Sequence, residues 1–283
     1  MTLLSVAQLV DRSSDPDLRI VDVRWYLNRP GDGRAAYDAG HIPSALFVDL
    51  DADLADPNGF GAPGRHPLPS PQAFSHRLAT EGIGTDHFVV AYDDVAGAVA
   101  ARLWWMLDNL GHSGGVAVLD GGIQAWTSAG HELSRLAPQH QPARLDLADE
   151  WQNVVSRDDL TARLGTVSLL DARAPERYRG EVEPIDPVAG HIPTAINLPT
   201  AANLTEDGRF LKSEELRERY AAATAPGRAV VVSCGSGTNA CHNALAMRLA
   251  GMPDPILYVG SYSDWSRSGM PIATGDAPGE FPA

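Results

Sequence analysis

The sequence predicts an α/β protein built from two consecutive copies of one domain, each a small parallel sheet with helices on both faces. Short apolar, β-branched runs alternate along the chain with longer helix-like segments, a pattern typical of parallel sheets. The same short motifs also occur twice, in the same order. With 283 residues, of which 44% are hydrophobic, the chain is long enough to fill two cores.

Several motifs recur at a nearly constant separation. The pairs are Arg-Ile-Val-Asp-Val-Arg at 19–24 with Ser-Leu-Leu-Asp-Ala-Arg at 168–173, Ala-Gly-His-Ile-Pro-Ser-Ala at 39–45 with Ala-Gly-His-Ile-Pro-Thr-Ala at 189–195, and Leu-Asp-Gly-Gly-Ile-Gln-Ala-Trp at 119–126 with Tyr-Val-Gly-Ser-Tyr-Ser-Asp-Trp at 258–265. A separation of roughly 140–150 residues is too long for a solenoid repeat and fits a duplicated domain. We therefore expect an N-terminal domain over 1–135, a linker over 136–152 and a C-terminal domain over 153–283.

The predicted elements follow the same order in each half. Strands are predicted at Ile20–Val23, Leu46–Val48, Val89–Tyr92 and Val116–Leu119, and then at Leu169–Asp171, Ala195–Leu198, Val230–Ser233 and Ile256–Val259. Helices are predicted at Ser5–Arg12, Pro71–Glu81 and Ala98–Asn109, and then at Ser156–Leu164, Ser213–Ala223 and Asn239–Leu249, with Ser156 as an N-cap. Because functional sites of parallel sheets lie at the carboxyl ends of the strands, we expect the chemistry at those ends.

One strand end carries an unusual sequence, Ser-Cys-Gly-Ser-Gly-Thr-Asn-Ala-Cys at 233–241. Cys234 falls at a strand-to-helix turn, where unpaired backbone N–H groups and the helix dipole favour a thiolate. Gly235 and Gly237 allow the loop to curl with its N–H groups pointing inward around the sulfur. Cys234 is therefore a candidate nucleophile, and the alternative is a small buried cysteine after a core strand.

The two copies differ at this position. Phe-Val-Val-Ala-Tyr-Asp at 88–93 aligns with Ala-Val-Val-Val-Ser-Cys at 229–234, which places Asp93 opposite Cys234. An aspartate cannot act as a thiol nucleophile. We therefore place the reaction in the C-terminal domain.

The composition excludes several classes of protein. A net charge of −14 argues against nucleic acid or an anionic membrane as partner. No run approaches the roughly 18–20 apolar residues of a membrane span, and the N-terminus lacks the basic region of a signal peptide. Two cysteines, at 234 and 241, do not indicate a disulfide framework and favour the reducing cytoplasm. Lysine occurs once, at Lys212, so an anion site would be built from arginine and backbone N–H groups.

The repeated Asp-x-Arg and Gly-His-Ile-Pro motifs, together with Cys-Gly-Ser-Gly-Thr-Asn-Ala-Cys at 234–241, resemble the tandem rhodanese-type sulfurtransferases over essentially the whole chain. That group includes thiosulfate and 3-mercaptopyruvate sulfurtransferases. The resemblance implies that the cysteine thiolate takes a sulfane sulfur from a small anionic donor and becomes a persulfide. The sulfur then passes to a small thiol, a reduced dithiol protein or cyanide. No metal and no organic cofactor are implied, and a persulfide anion is a charge that a ring of N–H donors stabilises.

The resemblance also assigns roles to individual residues. Cys-Gly-Ser-Gly is the pattern of the mercaptopyruvate enzymes, which pair this loop with an aspartate, a histidine and a serine. The matching positions are Asp51, His66 and Ser236. Histidine suits a proton relay because its ordinary pKa lies near neutral pH, and the alternative for His66 is a surface histidine beside a proline. We further expect the loop from Asp51 to Pro69 to fold over the site.

The donor is expected to contact an arginine that follows the second Asp-x-Arg, and this is Arg177. The family's second donor-binding arginine aligns near Ile185 and is missing, so Arg179 is a candidate substitute. Alternatively, the second arginine is missing because the donor is thiosulfate, which has no carboxylate. The sequence leaves both donors open. Thr238-Asn239 also stands where a valine–threonine pair is usual. The expected substrate-binding residues are Arg177, Arg179, Gly235, Gly237, Thr238 and Asn239.

Two other functions fit the sequence less well. A phosphatase of the same fold would need an arginine six residues after the cysteine, and Ala240 occupies that position. A non-catalytic sulfur-carrier or binding module is the remaining alternative, which the intact Cys234 loop disfavours.

Other conspicuous residues are expected to be structural. The motif histidines and tryptophans recur in both halves, including the half without the cysteine, so we interpret them as packing residues; they are His41, His191, Trp126 and Trp265. Cys241 is expected to be a buried helical residue. Of Trp104 and Trp105, we expect at most one to face the core squarely and the other to line the surface between the domains.

Overall fold

The computed structural model describes residues 1–56 and 64–281, which form two compact units. The N-terminal unit comprises Met1–Asp56, Pro69–Gln152 and Glu206–Phe210. The C-terminal unit comprises Pro57–Leu68, Asn153–Thr205 and Leu211–Ala283, of which residues 64–68, 153–205 and 211–281 are described. Residues 64–68 therefore group with the C-terminal unit, although they lie between two segments of the other unit in sequence.

The N-terminal unit is a five-stranded parallel sheet with flanking helices. Its strands are β1 (Leu3–Leu4), β2 (Leu18–Asp22), β3 (Ala45–Phe47), β4 (Phe88–Tyr92) and β5 (Val116–Leu119), and its helices are α1 (Val6–Asp11), α2 (Asp32–Ala39), α3 (Pro71–Thr80), α4 (Ala100–Asn109) and α5 (Gly122–Ser128). The strand order is β1-β5-β4-β2-β3, and every neighbouring pair is parallel.

The C-terminal unit repeats this architecture. Its strands are β6 (Val154–Val155), β7 (Ser168–Asp171), β8 (Ile196–Asn197), β9 (Val230–Ser233) and β10 (Ile256–Tyr258), and its helices are α6 (Arg157–Thr161), α7 (Pro175–Tyr178), α8 (Ser213–Ala223), α9 (Thr238–Leu249) and α10 (Ser261–Trp265), with a 3₁₀ turn at Thr200–Asn203. The order β6-β10-β9-β7-β8 matches that of the first sheet, position by position. The predicted α/β class and the duplication are confirmed.

Each unit buries its own apolar core. The N-terminal core includes Val90 and Trp126, and the C-terminal core includes Val231 and Trp265. Both tryptophans donate their indole N–H to a backbone carbonyl, so each ring is buried with its polar atom satisfied. The expectation that these tryptophans anchor the cores is confirmed.

The Asp-x-Arg motif ties a central strand to the Gly-His-Ile-Pro turn in both units. Arg24 Nη2 donates to Asp22 at 2.6 Å and to the carbonyl of Gly40 at 2.8 Å. Arg173 Nη2 makes the same pair of bonds, to Asp171 at 2.7 Å and to the carbonyl of Gly190 at 2.8 Å. The side chains of both Asp–Arg pairs are buried. Removal of either partner would therefore leave a buried charge without its counter-charge.

The motif histidines pack against tyrosines of the preceding helix. His41 stacks on Tyr37 with ring centroids 3.9 Å apart, and His191 stacks on Tyr178 at 3.7 Å. In each case Nδ1 lies within 2.9 Å of the same tyrosine's carbonyl oxygen. The structural interpretation of both histidines is confirmed.

Some elements differ from the sequence-based expectation. The two-residue edge strands β1 and β6 and the short helices α2, α5, α7 and α10 were not predicted, because so few residues carry no periodic pattern. The expectation for the tryptophan pair stays a prediction, because both side chains are buried: Trp104 is 1% exposed and Trp105 is 6% exposed. Trp105 is buried because its ring stacks on Trp151, a residue of the predicted linker, at 5.8 Å.

Asp93 fills the turn after β4 with a carboxylate. Its two oxygens accept four backbone N–H groups, from Val95, Gly97, Val99 and Ala100, at 2.7–2.9 Å. Burial raises the pKa of Asp93, and these four donors oppose that rise because they bind the carboxylate better than the neutral acid. The turn that begins a helix in this unit therefore encloses an acceptor belonging to the chain itself.

Asp93→Asn should destabilise the N-terminal unit by ~2–4 kcal/mol, because an amide group would point N–H donors at N–H donors in a buried turn. Urea unfolding followed by tryptophan fluorescence measures this. Asp146→Asn, on an exposed side chain of the same unit, is the matched control and should change stability little. Equal stability of the two variants would show that the Asp93 turn does not need its carboxylate.

Candidate active site

Cys234 lies at the end of the central strand β9 of the C-terminal unit. The strand is buried up to Ser233, and Cys234 itself is a free thiol with 2% exposure. Its Sγ accepts a hydrogen bond from the backbone N–H of Gly237 at 3.1 Å. Gly237 has φ 83° and caps the N-terminus of α9, and glycine adopts this left-handed conformation without strain. The sulfur is thus held at a helix N-terminus, where negative charge is favoured.

The turn into α10 holds the cysteine loop from its backbone. The N–H of Cys234 donates to Ser261 Oγ at 3.1 Å, and the N–H of Tyr262 donates to the carbonyl of Cys234 at 2.9 Å. The next pair continues the pattern, because the N–H of Ser263 donates to the carbonyl of Gly235 at 2.8 Å. The backbone of the loop is therefore held at both Cys234 and Gly235.

His66 reaches two hydroxyl groups of the loop. Its Nδ1 lies 2.8 Å from Ser236 Oγ and 3.4 Å from Thr238 Oγ1. His66 is 4% exposed and Ser236 is 8% exposed, so the pair is sheltered from bulk water. A histidine bonded to a hydroxyl next to a thiol is an arrangement that can move a proton.

Two guanidinium groups adjoin Gly235. A Cβ atom added at Gly235 would lie 3.1 Å from Nη2 of Arg65 and 3.6 Å from Nη1 of Arg177. Glycine therefore allows both arginines to approach the residue that follows the cysteine. Together they provide positive charge beside the loop, as an anionic substrate would require.

Buried carboxylates position these arginines. Asp186, whose side chain is fully buried, is bonded by Arg65 Nη1 at 3.0 Å and lies 3.4 Å from Arg177 Nη2. Glu183 accepts from Arg177 Nη2 at 2.7 Å. Each guanidinium is therefore tethered by a carboxylate, which restricts its orientation beside Gly235.

The predicted site residues fall into three groups. The C-terminal unit brings together the cysteine loop, its serine and threonine, the histidine and the first arginine; these are Cys234, Gly235, Ser236, Gly237, Thr238, His66 and Arg177. Asn239 is the second residue of α9 and is partly exposed. The remaining two, Arg179 and Asp51, make other contacts.

Arg179 is paired away from the loop. Its guanidinium donates to Glu181 at 2.8 and 2.9 Å, which raises its pKa. Asp51 belongs to the N-terminal unit, where its carboxylate accepts the indole N–H of Trp25 at 2.7 Å. A role for either residue in the site stays a prediction, and part of the loop expected to cover the site, residues 57–63, lies outside the described residues.

Sequence reasoning missed Arg65, Glu183 and Asp186. The only sequence signal for these three residues was their position next to predicted site residues. Arg65 directly precedes His66, and Glu183 and Asp186 lie on either side of Ile185. Cys241, by contrast, is a fully buried residue of α9 whose thiol donates to the carbonyl of Gly237 at 3.3 Å, which confirms its structural interpretation.

The described residues contain neither a metal-binding cluster nor a helix that could span a membrane. Within 1–56 and 64–281, His, Cys, Asp and Glu side chains form no cluster of three that could hold a metal ion. In the same ranges, every helix is too short or too polar to cross a membrane.

The fold and the loop agree with a family comparison. The model of the rhodanese-like domain matches the chain twice, at residues 5–129 and 156–268. The chain belongs to the rhodanese family.

Relatives of this rhodanese-family protein match it over nearly its full length. It is 46% identical to a probable 3-mercaptopyruvate sulfurtransferase of Pseudomonas aeruginosa, over 97% of this chain and 98% of that protein. It is 41% identical to a putative thiosulfate sulfurtransferase of Mycobacterium tuberculosis, again over 97% of this chain and 98% of that protein. The solved structure of a 3-mercaptopyruvate sulfurtransferase from Leishmania major superposes with a TM-score of 0.81 at 31% identity, over 94% of this chain and 74% of that one.

Proposed function

We propose that this rhodanese-family protein is a sulfurtransferase that moves a sulfane sulfur from 3-mercaptopyruvate or thiosulfate, through a persulfide on Cys234, to a thiol or to cyanide. The observation that carries the proposal is the buried Cys234 sulfur bonded to the Gly237 N–H beside two guanidinium groups. The names of the full-length relatives support the same chemistry. Cys234 is a free thiol, which fits a reducing compartment such as the cytoplasm.

We favour 3-mercaptopyruvate as the better donor. The family's second donor arginine is replaced near Ile185, and Arg65 supplies a guanidinium from a different segment. Two guanidinium groups can bind a carboxylate and an adjacent carbonyl oxygen, both of which 3-mercaptopyruvate has. The argument for a donor without a carboxylate rested on the missing arginine, and Arg65 now supplies a second guanidinium. Thiosulfate is also an anion and is attracted by the same charges, but it has no carboxylate to pair with a planar guanidinium.

In the first half-reaction the Cys234 thiolate attacks the sulfur of 3-mercaptopyruvate. The S–S bond forms as the C–S bond breaks, and the electron pair of that bond leaves on carbon as the enolate of pyruvate. The proton released from the donor thiol returns to this carbon, so pyruvate and the persulfide anion are the products. His66 with Ser236 is placed to relay that proton, and Asp51 is the residue that the resemblance adds to this relay.

In the second half-reaction the outer sulfur of the persulfide is attacked by an acceptor thiolate or by cyanide. The S–S bond breaks, and its electron pair returns to Cys234, which regenerates the thiolate. Donors at the helix N-terminus stabilise the sulfur anion in both halves of the cycle. The mechanism needs neither a metal nor an organic cofactor.

Cys234→Ser should abolish sulfur transfer from both donors without loss of the fold, whereas Cys241→Ser should retain most activity. The reason is their positions, one at the loop and one in the body of α9. Intact-protein mass spectrometry after donor treatment should show one added sulfur that depends on Cys234 alone. Turnover by Cys234→Ser would refute the persulfide mechanism, and a persulfide without turnover in the native enzyme would favour the sulfur-carrier alternative.

Arg177→Ala should raise the donor KM and lower kcat/KM by the equivalent of ~1–3 kcal/mol, the range for a charged hydrogen bond. Arg65→Ala should do the same, with a larger loss for 3-mercaptopyruvate than for thiosulfate. Lysine at position 177 should rescue only part of the loss, because it replaces a planar fork with a point charge. Arg179→Ala is the control, and a larger effect there than at Arg177 would move the donor site.

His66→Ala should reduce 3-mercaptopyruvate turnover by ~10²-fold or more and thiosulfate turnover far less. The enolate of pyruvate must be protonated, whereas sulfite leaves with less need for a proton. Steady-state kinetics with both donors tests this difference. Equal losses with the two donors would mean that His66 only supports the loop.

A further inference from the structure

A pocket of about 390 Å³ lies beside the cysteine loop within the C-terminal unit. Its lining residues are Gly64, Arg65, Arg157, Ser263, Asp264 and Arg267. The volume is in the range of pockets that bind small molecules. Of these residues, only Arg65 has a role in the reaction steps proposed above.

The pocket is positively charged in a strongly acidic protein. Three arginines and one aspartate line it, while the whole chain carries a net charge of −14. A local excess of positive charge attracts anions that the rest of the surface repels. The charge therefore indicates an anionic ligand.

The pocket arginines keep hydrogen-bond donors free for a ligand. Arg267 bonds Asp186 and the carbonyl of Ser263 through Nη1 alone, and its side chain is 52% exposed. Arg157 uses Nη1 for Asp264 at 2.6 Å. Across the described part of the chain, Nη2 of both arginines has no hydrogen-bond partner. Paired N–H donors of this kind suit carboxylate oxygens.

The pocket adjoins the loop residue that follows Cys234. Ser263 lines it and donates its backbone N–H to Gly235, the residue next to Cys234, at 2.8 Å. Arg65 lines it and also lies beside Gly235. A ligand in the pocket would therefore lie beside the loop that carries the sulfur.

We propose that this pocket binds the acceptor, and that the acceptor is a small thiol carrying one or more carboxylates. The carboxylates bind Arg157 and Arg267, and the thiol reaches past Gly235 to the persulfide. This inference rests on the proposed function, since it concerns the second half-reaction. The acceptor thiolate attacks the outer sulfur, the S–S bond breaks, and the products are the acceptor persulfide and the Cys234 thiolate.

The test compares mercaptosuccinate, a dicarboxylate thiol, with the neutral thiol 2-mercaptoethanol as acceptors for the full-length enzyme. The readout is the ratio of their kcat/KM values, in which a general loss of activity cancels. Arg267→Ala and Arg157→Ala should each lower this ratio about tenfold, the effect of one charged hydrogen bond. Arg267→Lys should recover part of it, and Arg163→Ala, on an exposed arginine outside the pocket, should leave it unchanged.

Further measurements separate the possible failures. Formation of the Cys234 persulfide from 3-mercaptopyruvate alone, followed by mass, tests the proposed function without any acceptor. If the persulfide forms and the acceptor ratio is the same in native enzyme, Arg267→Ala and Arg157→Ala, the pocket is not the acceptor site. In the native enzyme the ratio should also fall as salt rises, and a ratio independent of salt would overturn the electrostatic argument. If Arg157→Ala does not fold because Asp264 loses its partner, Arg267→Ala and Arg267→Gln decide alone.

Discussion

The turn that follows the central strand of each sheet imposes the main constraint on this protein. A helix begins there, and its first N–H groups point toward the strand end without partners from the helix itself. In the N-terminal unit Asp93 accepts four N–H groups at 2.7–2.9 Å, from the turn before α4 and from the first helical residue, Ala100. In the C-terminal unit the corresponding position is Cys234, whose sulfur accepts one N–H at 3.1 Å. The N–H groups at this turn are therefore bound by a carboxylate in one unit and by the thiol that we propose to react in the other.

Arginine supplies the positive charge of the site because the chain has almost no lysine. Guanidinium groups stay charged when partly buried and keep several N–H donors when one is already bonded. The carboxylate of Asp186 contacts Arg65, Arg177 and Arg267, and each of these arginines keeps N–H donors for other partners. Burial of the carboxylate costs free energy, but it fixes three charged side chains in one place.

The sequence was sufficient for the fold and for the residues next to the cysteine. The β-branched runs predicted the long strands, and Ser156 caps α6 as expected, because these signals are local. Prediction failed for β1 and β6, whose two residues pair only because a neighbouring strand is present. The burial of Trp105 was not predictable for the same reason, since the ring of Trp151 that covers it is distant in sequence.

Arg65 shows why alignment alone could not complete the site. The pattern assigns a guanidinium to a position near Ile185, yet the chain delivers one from a segment about 120 residues earlier, where Asp186 binds it. What the chemistry requires is positive charge beside Gly235, and any segment that reaches this point can provide it. The next residue, His66, bonds Ser236, so consecutive residues of one segment meet consecutive residues of the loop. The charge that we propose for donor binding and the proton relay that we propose for its product are therefore carried by neighbouring residues, and a shift of this short segment would displace both.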